Sequence, residues 1–434
     1  MLKTIIKNNP FYKKLQKKFD TMQQQINDLT FENASLKVRV NKISGNKIRV
    51  VFVCHRPAVW GSLKTVYENM KNDSDFEVYI LAIPNKKQLP DLGLNHEIYE
   101  SEGAESFWTG DDVIYGYEYE TQTWYDVNKL KPSYIFIQQP YNICKPECLS
   151  SRYLFKIGKI CYVSYFTFLS NKINDDVNDE CNPTDFLQNL SFYFTQQKDD
   201  TLYIQNRMNL IGNKNCKVIN TGYPCFDNLK NVRTISDNWN FPSENKFRLI
   251  WTPRWCTNEG NCNFFDYKDK LLDYCINNED IDFIFRPHPQ AFSNWLTTGE
   301  MTEDQILEYK KKYINTPNIK IDNQKDYLET FATSSCLVTD ISSIIPEYFL
   351  TGKPIIYCNK KGSTNTFIKD QGYIKGFYWV ENWNELHDVL EMLKNGSDPL
   401  REKRLELIKS EFNFSEKGAG YLIKDVIKQD FNNA

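Results

Sequence analysis

No stretch of this 434-residue sequence approaches the ~18 consecutive apolar residues that a membrane-spanning helix requires. Its first ten residues hold no apolar run of signal-peptide length and no small-residue cleavage site. The expectation is a cytoplasmic protein, soluble or peripheral at a membrane. No G-x-G-x-x-G loop opens a helix in either half, which disfavours a nicotinamide enzyme. Histidine is scarce, at four positions (His55, His96, His288, His387), and none lies near Cys144 and Cys148. A metal site there would need a second ligand pair, so neither a metal nor a cofactor is expected. The formal net charge of -3 leaves no positive excess for nucleic acid, and no nucleic-acid partner is expected.

What the chain does have is length for two domains and enough apolar content to fill both, 41% of its residues. The twelve cysteines are scattered through it and several sit in apolar runs, which reads as reduced, buried thiols. Charge is uneven at the start. Residues 1–18 carry six lysines and no acidic residue, interleaved with Leu2, Ile5, Ile6 and Phe11, a composition suited either to an anionic membrane surface or to a frayed, solvated terminus. Apolar residues then step by four and three through Leu15, Phe19, Met22, Ile26 and Leu29, pass Asn33 at a seam position, and continue to Leu36 and Val40. This pattern predicts a short coiled coil and homo-oligomerisation through residues 15–40, or a helix docked on its own body.

Beyond Ser44-Gly45-Asn46, the run Ile48–Cys54 reads as a buried strand, followed by a helix over Leu63–Met70 and a strand over Phe76–Ile83. Further strand-like runs lie at Tyr134–Ile137 and Ile160–Tyr165. Near residues 230–246 the chain turns polar, with Pro242 inside the stretch. Alternation then resumes, with strands at Phe247–Trp251, Asp282–Phe285, Cys336–Thr339 and Pro354–Tyr357 and helices between them. The expected organisation is a basic, helical segment over 1–44, a Rossmann-like acceptor domain over 45–235, and a Rossmann-like donor-nucleotide domain over 236–434 ending in a helix. The fold class is α/β: two Rossmann-like domains in a GT-B architecture, with a ligand cleft at the carboxyl ends of the strands.

Four segments fall just after predicted strands: Thr221–Pro224 with Asp227, Trp251–Trp255, Arg286–Pro289 and Thr339–Ser343. Together they make one candidate site. Ser342 and Ser343, at the start of a predicted helix, offer hydroxyls and backbone N–H groups to a phosphate, while they or Asp340 could equally cap that helix. Arg254 and Arg286 could each neutralise a diphosphate or sit in an ion pair. His288, between two prolines, could act as a base or as a donor to the leaving group. Glu347, four residues after Ser343, could hold a ribose or an acceptor, or be solvated.

These segments resemble the CDP-glycerol glycerophosphotransferase family, which builds teichoic-acid and capsule backbones. The family's Gly-Tyr-Pro-x-Phe-Asp resembles Gly222 to Asp227, its Thr-Pro-Thr-Trp-Arg resembles Thr252 to Trp255, its His-Pro resembles His288-Pro289, and its Thr-Asp-x-Ser-Ser, acidic residue and Lys-Pro resemble Thr339–Ser343, Glu347, Lys353 and Pro354. The resemblance runs over about residues 215–360. It implies transfer of a polyol phosphate from a CDP-activated donor to a lipid-linked or polymeric surface glycan, with release of CMP, at the inner face of a bacterial membrane. It implies catalysis by His288 and donor binding by Arg254, Arg286, Asp340, Ser342, Ser343, Glu347 and Gly222.

The family's His-Gly-Thr-Pro segment, source of a second catalytic histidine, has no counterpart: the corresponding strand end reads Ile160 to Tyr165 without histidine. His55, directly after the first strand and expected to face the cleft, is the available substitute, with Trp60 nearby as a contact for a polyol or sugar; a purely structural His55 is the other reading. Two alternatives stand beside this reading. One is a glycosyltransferase using a nucleotide-sugar donor; the other is a non-catalytic scaffold of a polymer-assembly complex.

Overall fold

The computed structural model describes residues 10–87, 98–100, 104–165, 182–227, 229, 237–241, 247–324, 327–363, 366–412 and 415–434. The lysine-bearing start of the chain, Met1 to Asn9, and most of the polar stretch at 230–246 lie outside these residues.

A first sheet gathers β1 (Ile48–Cys54), β2 (Phe76–Ala82), β3 (Val113–Tyr115), β4 (Tyr134–Ile137), β5 (Lys159–Val163), β6 (Phe192–Thr195) and β7 (Lys217–Asn220) in the order β7-β6-β5-β4-β1-β2-β3. Every pairing in it is parallel. A second sheet gathers β8 (Phe247–Thr252), β9 (Ile281–Phe285), β10 (Ile319–Ile321), β11 (Cys336–Thr339), β12 (Ile355–Cys358) and β13 (Tyr378–Val380) in the order β10-β9-β8-β11-β12-β13, again all parallel. Strands such as Ile48–Cys54, apolar but for Arg49, are buried on both faces, the condition under which parallel sheets persist.

In each sheet the strand order reverses once, between β1 and β4 and between β8 and β11. Doubly wound sheets bind ligands outside the carboxyl ends of the strands at such a reversal.

The predicted elements are found with small shifts. The helix expected at Leu63–Met70 spans Gly61–Lys71, and the one expected between the strands at Cys336–Thr339 and Pro354–Tyr357 spans Ile345–Phe349. The terminal stretch expected as one helix is two, Arg401–Glu411 and Ala419–Asn432. The break has a cause. Gly418 adopts φ 85°, and Asp227 takes the backbone N–H groups of Ala419 and Gly420 on its two oxygens at 2.7 and 2.8 Å, capping the last helix from a distant loop. Thr65 donates to the same carboxylate at 2.7 Å, tying helix Gly61–Lys71 to it, and a Cβ on Gly420 would lie 2.6 Å from the Thr65 backbone. The last helix therefore packs on the first sheet's layer, where Lys424 and Lys428 pair with Asp73 and where Lys159 and Lys217 pair with Asp430.

At the start of the described chain a 34-residue helix, α1, runs from Pro10 to Ile43. A coiled coil needs a second helix on its seam, and the described residues of this chain supply none. Trp60, expected near a sugar or polyol, is instead buried against Phe52, Tyr67 and Trp108. Its indole is one wall of the first core, where its large apolar area contributes most. All eleven cysteines among the described residues are free thiols, and no described helix is long and apolar enough to cross a membrane.

Candidate active site

The second reversal point carries the motif residues. Strands β9, β8 and β11 are neighbours in register, with Trp251 opposite Phe285 and Thr252 opposite Thr339, so the loops beginning at Pro253, Arg286 and Asp340 leave one edge side by side. The Thr252 and Thr339 hydroxyls are 3.0 Å apart and clamp the last residues of two strands together.

Asp340 is 1% exposed. One carboxylate oxygen accepts the backbone N–H of Arg254, and the other accepts that of Asn263 at 2.9 Å. Burial pushes its pKa up to about 7 against these two bonds. Its geometry is that of a knot joining two loops, with both oxygens committed to backbone.

His288 is exposed, and its ring stacks on Trp255 with centroids 5.4 Å apart and planes 22° from parallel. Its Nδ1 accepts the Gln290 backbone N–H at 3.2 Å. The neutral ring consequently carries its proton on Nε2, pointing a donor away from its own loop. Partial burial, and then the charge of Arg254, lower the histidine pKa, which favours that neutral form. Asn294 donates to the Trp255 carbonyl at 3.2 Å, fixing the base of the stack.

Arg286 is open to two readings, and the structure gives the ion pair: its guanidinium binds Asp322, itself 3% exposed, donates to the Gln324 carbonyl at 2.8 Å and lies 4.9 Å over the Tyr327 ring. Glu347 is 5% exposed, not solvated. It accepts the Tyr327 hydroxyl, and burial lifts its pKa to about 7 while the Tyr327 bond and Arg286 pull it down. Asp322, Arg286, Tyr327 and Glu347 thus form one chain of contacts, buried at both carboxylate ends.

Ser342 is half-buried and Ser343 exposed, two residues and one residue before Ile344, which caps the helix without any side-chain bond. That helix is only five residues long, so its dipole is a weaker attraction for an anion than the sequence suggested. Gly222 adopts φ 82° directly after Thr221, a conformation glycine takes without strain, and its N–H donates to Thr195 at 3.2 Å.

At the first reversal point the expectation for His55 does not hold. Rather than facing the cleft it is 1% exposed, with Nε2 2.8 Å from the Gln139 side-chain oxygen. Burial and the neighbouring Lys145 depress its pKa to about 3. Gln138 accepts the backbone N–H groups of both His55 and Arg56 at 2.9 Å. Lys145 donates to the Gln139 and Tyr141 carbonyls. Sequence reading missed this network because its members lie more than eighty residues from His55, as the sequence separations of 83 and 84 to the two glutamines record. The strand end that lacks the family's histidine presents Ser164 and Tyr165, and the Tyr165 hydroxyl is 3.0 Å from that of Tyr141.

Comparison with known proteins gives consistent signals. No curated protein matches the sequence. Among solved structures, a Listeria monocytogenes protein described as a UDP-N-acetylglucosamine 2-epimerase superposes with a TM-score of 0.59 at 13% identity, covering 89% of this chain and 98% of that one. The wall teichoic acid polymerase TagF superposes with a TM-score of 0.54 at 16% identity, covering 96% and 98%. A TagF variant soaked with CDPG gives 0.52 at 16% identity, covering 97% and 98%. At these identities the likeness is one of fold, and it supplies the GT-B-like architecture. The family model of CDP-glycerol:poly(glycerophosphate) glycerophosphotransferase matches residues 184–413, a span that takes in the Gly222, Arg254, His288 and Ser342 loops and more than half of the sequence. By that match the chain belongs to the CDP-glycerol glycerophosphotransferase family, and is an enzyme of that family.

Proposed function

We propose that this chain moves a glycerol phosphate-like unit from a CDP-activated donor to a hydroxyl of a membrane-linked teichoic-acid or capsule polymer at the inner face of the bacterial membrane, releasing CMP. The observation that carries the reading is the gathering of Arg254, His288 and Ser342 on loops from three adjacent strands at one reversal point, within the span matched by the family. The TagF variant soaked with CDPG, similar in fold, supports a cytidine diphosphate donor. The segment 236–434 is the donor-nucleotide side in this reading, and 45–235 the acceptor side.

In the reaction the acceptor oxygen bonds to the phosphorus that carries the polyol, the bond from that phosphorus to the CMP oxygen breaks, and CMP leaves with the electron pair while the hydroxyl proton passes to the medium. Charge accumulates on phosphate oxygens, so positioned donors and cations do most of the work. Arg254 supplies the cation nearest His288. His288 supplies an Nε2 donor, a role consistent with its Nδ1 bond and lowered pKa. Ser342 and Ser343 contribute hydroxyls to the diphosphate. Asp340, Arg286, Glu347 and Gly222 are positioning residues, since their polar groups or backbone hold the loops. His55 shapes the acceptor side from within the sheet rather than taking a proton.

Calorimetric titration with CDP-glycerol, CDP-ribitol, CMP and several UDP-sugars, repeated on Ser342→Ala and His288→Ala, tests the donor. Saturable CDP-polyol binding that weakens in Ser342→Ala supports the reading, and selective UDP-sugar binding removes it. Transfer from a nucleotide sugar is the competing reading. It is favoured by the strand end with Ser164 and Tyr165 where the family has histidine, and is distinguished by whether the product retains the donor's phosphate.

A further inference from the structure

Helix α1 has two faces with different fates. Phe31, Ala34 and Val38 are buried on the body, where Phe31 meets Phe155 edge-on at 5.9 Å. Asn41 donates to the Ser133 hydroxyl at 2.9 Å, and Lys37 to the Lys156 carbonyl at 2.7 Å. Docking on the chain's own body therefore uses this face. The opposite stripe is left uncovered over the helix's whole length. In heptad terms its a positions are Phe19, Ile26, Asn33 and Val40, all exposed. The d positions are Leu15, Met22, Leu29, Leu36 and Ile43, between 56 and 76% exposed.

We propose that this stripe is the seam of a parallel, in-register two-stranded coiled coil with a second copy of this chain. Four observations select that occupant. The spacing alternates four and three without a break from Leu15 to Ile43, so the stripe is the narrow seam of a 3.5-residue period and not the broad apolar face of a helix lying in a membrane surface. β-Branched Ile26 and Val40 at a, with Leu15, Leu29 and Leu36 at d, are the packing preference of two parallel strands, and a single Asn at a sets register because only the in-register pair lets each Asn33 bond to its twin. Flanking g and e' positions bring no like charges together across the seam: Lys18 falls opposite Gln23, Gln25 opposite Thr30, Glu32 opposite Lys37 and Arg39 opposite Ser44 of the other copy. The described side chains from Pro10 to Gln23 are exposed on every side, and Lys13–Lys17 and Lys14–Lys18 are like-charged pairs one turn apart, so these turns gain their support from a partner helix.

The size is also adequate. Nine seam positions per copy bury on the order of 1,200 Å² in total, at the lower end of specific interfaces. Because the body sits on the face opposite the seam, the two bodies lie outward on either side of the coil with both clefts open. This assembly is independent of which donor the enzyme uses.

Sedimentation velocity on the full chain tests it. Wild type is expected at twice 51.2 kDa, and Leu29→Glu/Leu36→Glu at 51.2 kDa with unchanged far-ultraviolet circular dichroism of the body. Both changes are at exposed positions, so folding is retained. Asn33→Val is expected to broaden the distribution toward larger oligomers. Met22→Cys, at a d position, is expected to cross-link to its own twin on mild oxidation, and to stop doing so in the Leu29→Glu/Leu36→Glu background. A wild-type chain that stays at 51.2 kDa across the concentration range, a dimer that survives the double substitution, or a Met22→Cys chain that does not cross-link each overturns the proposal. So does a monomer that pellets with phosphatidylglycerol vesicles only when the seam is intact, which would give the stripe to a membrane.

Discussion

The side chain of Asp340 accepts the backbone N–H of Arg254, so the loop after β11 dictates where the loop after β8 stands. Because the other oxygen holds Asn263, Asp340→Asn would put an amide N–H₂ against one of two backbone donors. The expected cost is about 1–3 kcal/mol of stability, together with a raised KM for the donor as Arg254 loses its anchor. Chemical denaturation and CMP-release kinetics on one preparation measure both; an unchanged KM would mean that the knot does not serve the site.

Glu347 gives a pH signature. Burial raises its pKa to about 7 from an ordinary 4.5, so the folded state binds its proton more tightly than the unfolded state does. Its contribution to stability is full below about 4.5 and falls away as pH rises to about 7, leaving roughly a few kcal/mol of penalty above that. Glu347→Gln keeps an acceptor for Tyr327 and removes the titration. Melting temperatures of the variant and wild type should converge at pH 5 and separate in the variant's favour at pH 8.

His288 is expected to act through its Nε2 proton. His288→Ala should lower kcat by about 10²–10³, with a smaller change in donor affinity, as for loss of one aligned donor to a developing anion. His288→Gln, whose amide can donate, should recover part of that loss. Since the Nε2 proton is present in both the neutral and the charged ring, kcat should show no fall assignable to this residue as pH drops below the ordinary histidine value, the side to which its pKa is shifted.

Arg254 depresses the His288 pKa by its charge. Arg254→Ala should therefore move the His288 titration upward, toward the ordinary histidine value. With four histidines in the chain the ring-proton signals can be assigned by substitution and followed by NMR. A downward or absent shift would separate the two side chains.

Asp227→Ala removes the cap from helix Ala419–Asn432 and the acceptor of the Thr65 hydroxyl. The expected loss is about 1–3 kcal/mol, the sum of a cap and a buried hydrogen bond. Donor affinity measured by titration calorimetry should be unchanged.

Much of the fold was legible because strands such as Ile48–Cys54 and Cys336–Thr339 are buried on both faces and so carry apolar runs, Val50 to Cys54 and Cys336 to Val338. Short strands such as Ile319–Ile321 and Tyr378–Val380 gave no such run and were missed. The site was legible to the same degree. Arg254 and His288 follow strands directly, and position along the chain reveals that. The burial of His55 was invisible because Gln138, Gln139 and Lys145 come from another strand's end. Asp322, the partner that commits Arg286, was hidden behind a three-residue strand.

The return of helix Ala419–Asn432 to the first sheet gives the molecule two chain crossings between its halves, one between β7 and β8 and one between Glu411 and Ala419. A body hung from one strand can swing and twist in any direction. Hung from two, it loses most of those freedoms, and apolar residues of both halves pack into one continuous core. Asp227, which takes the N–H groups of Ala419 and Gly420 and the Thr65 hydroxyl, is the bolt that keeps the second crossing in place.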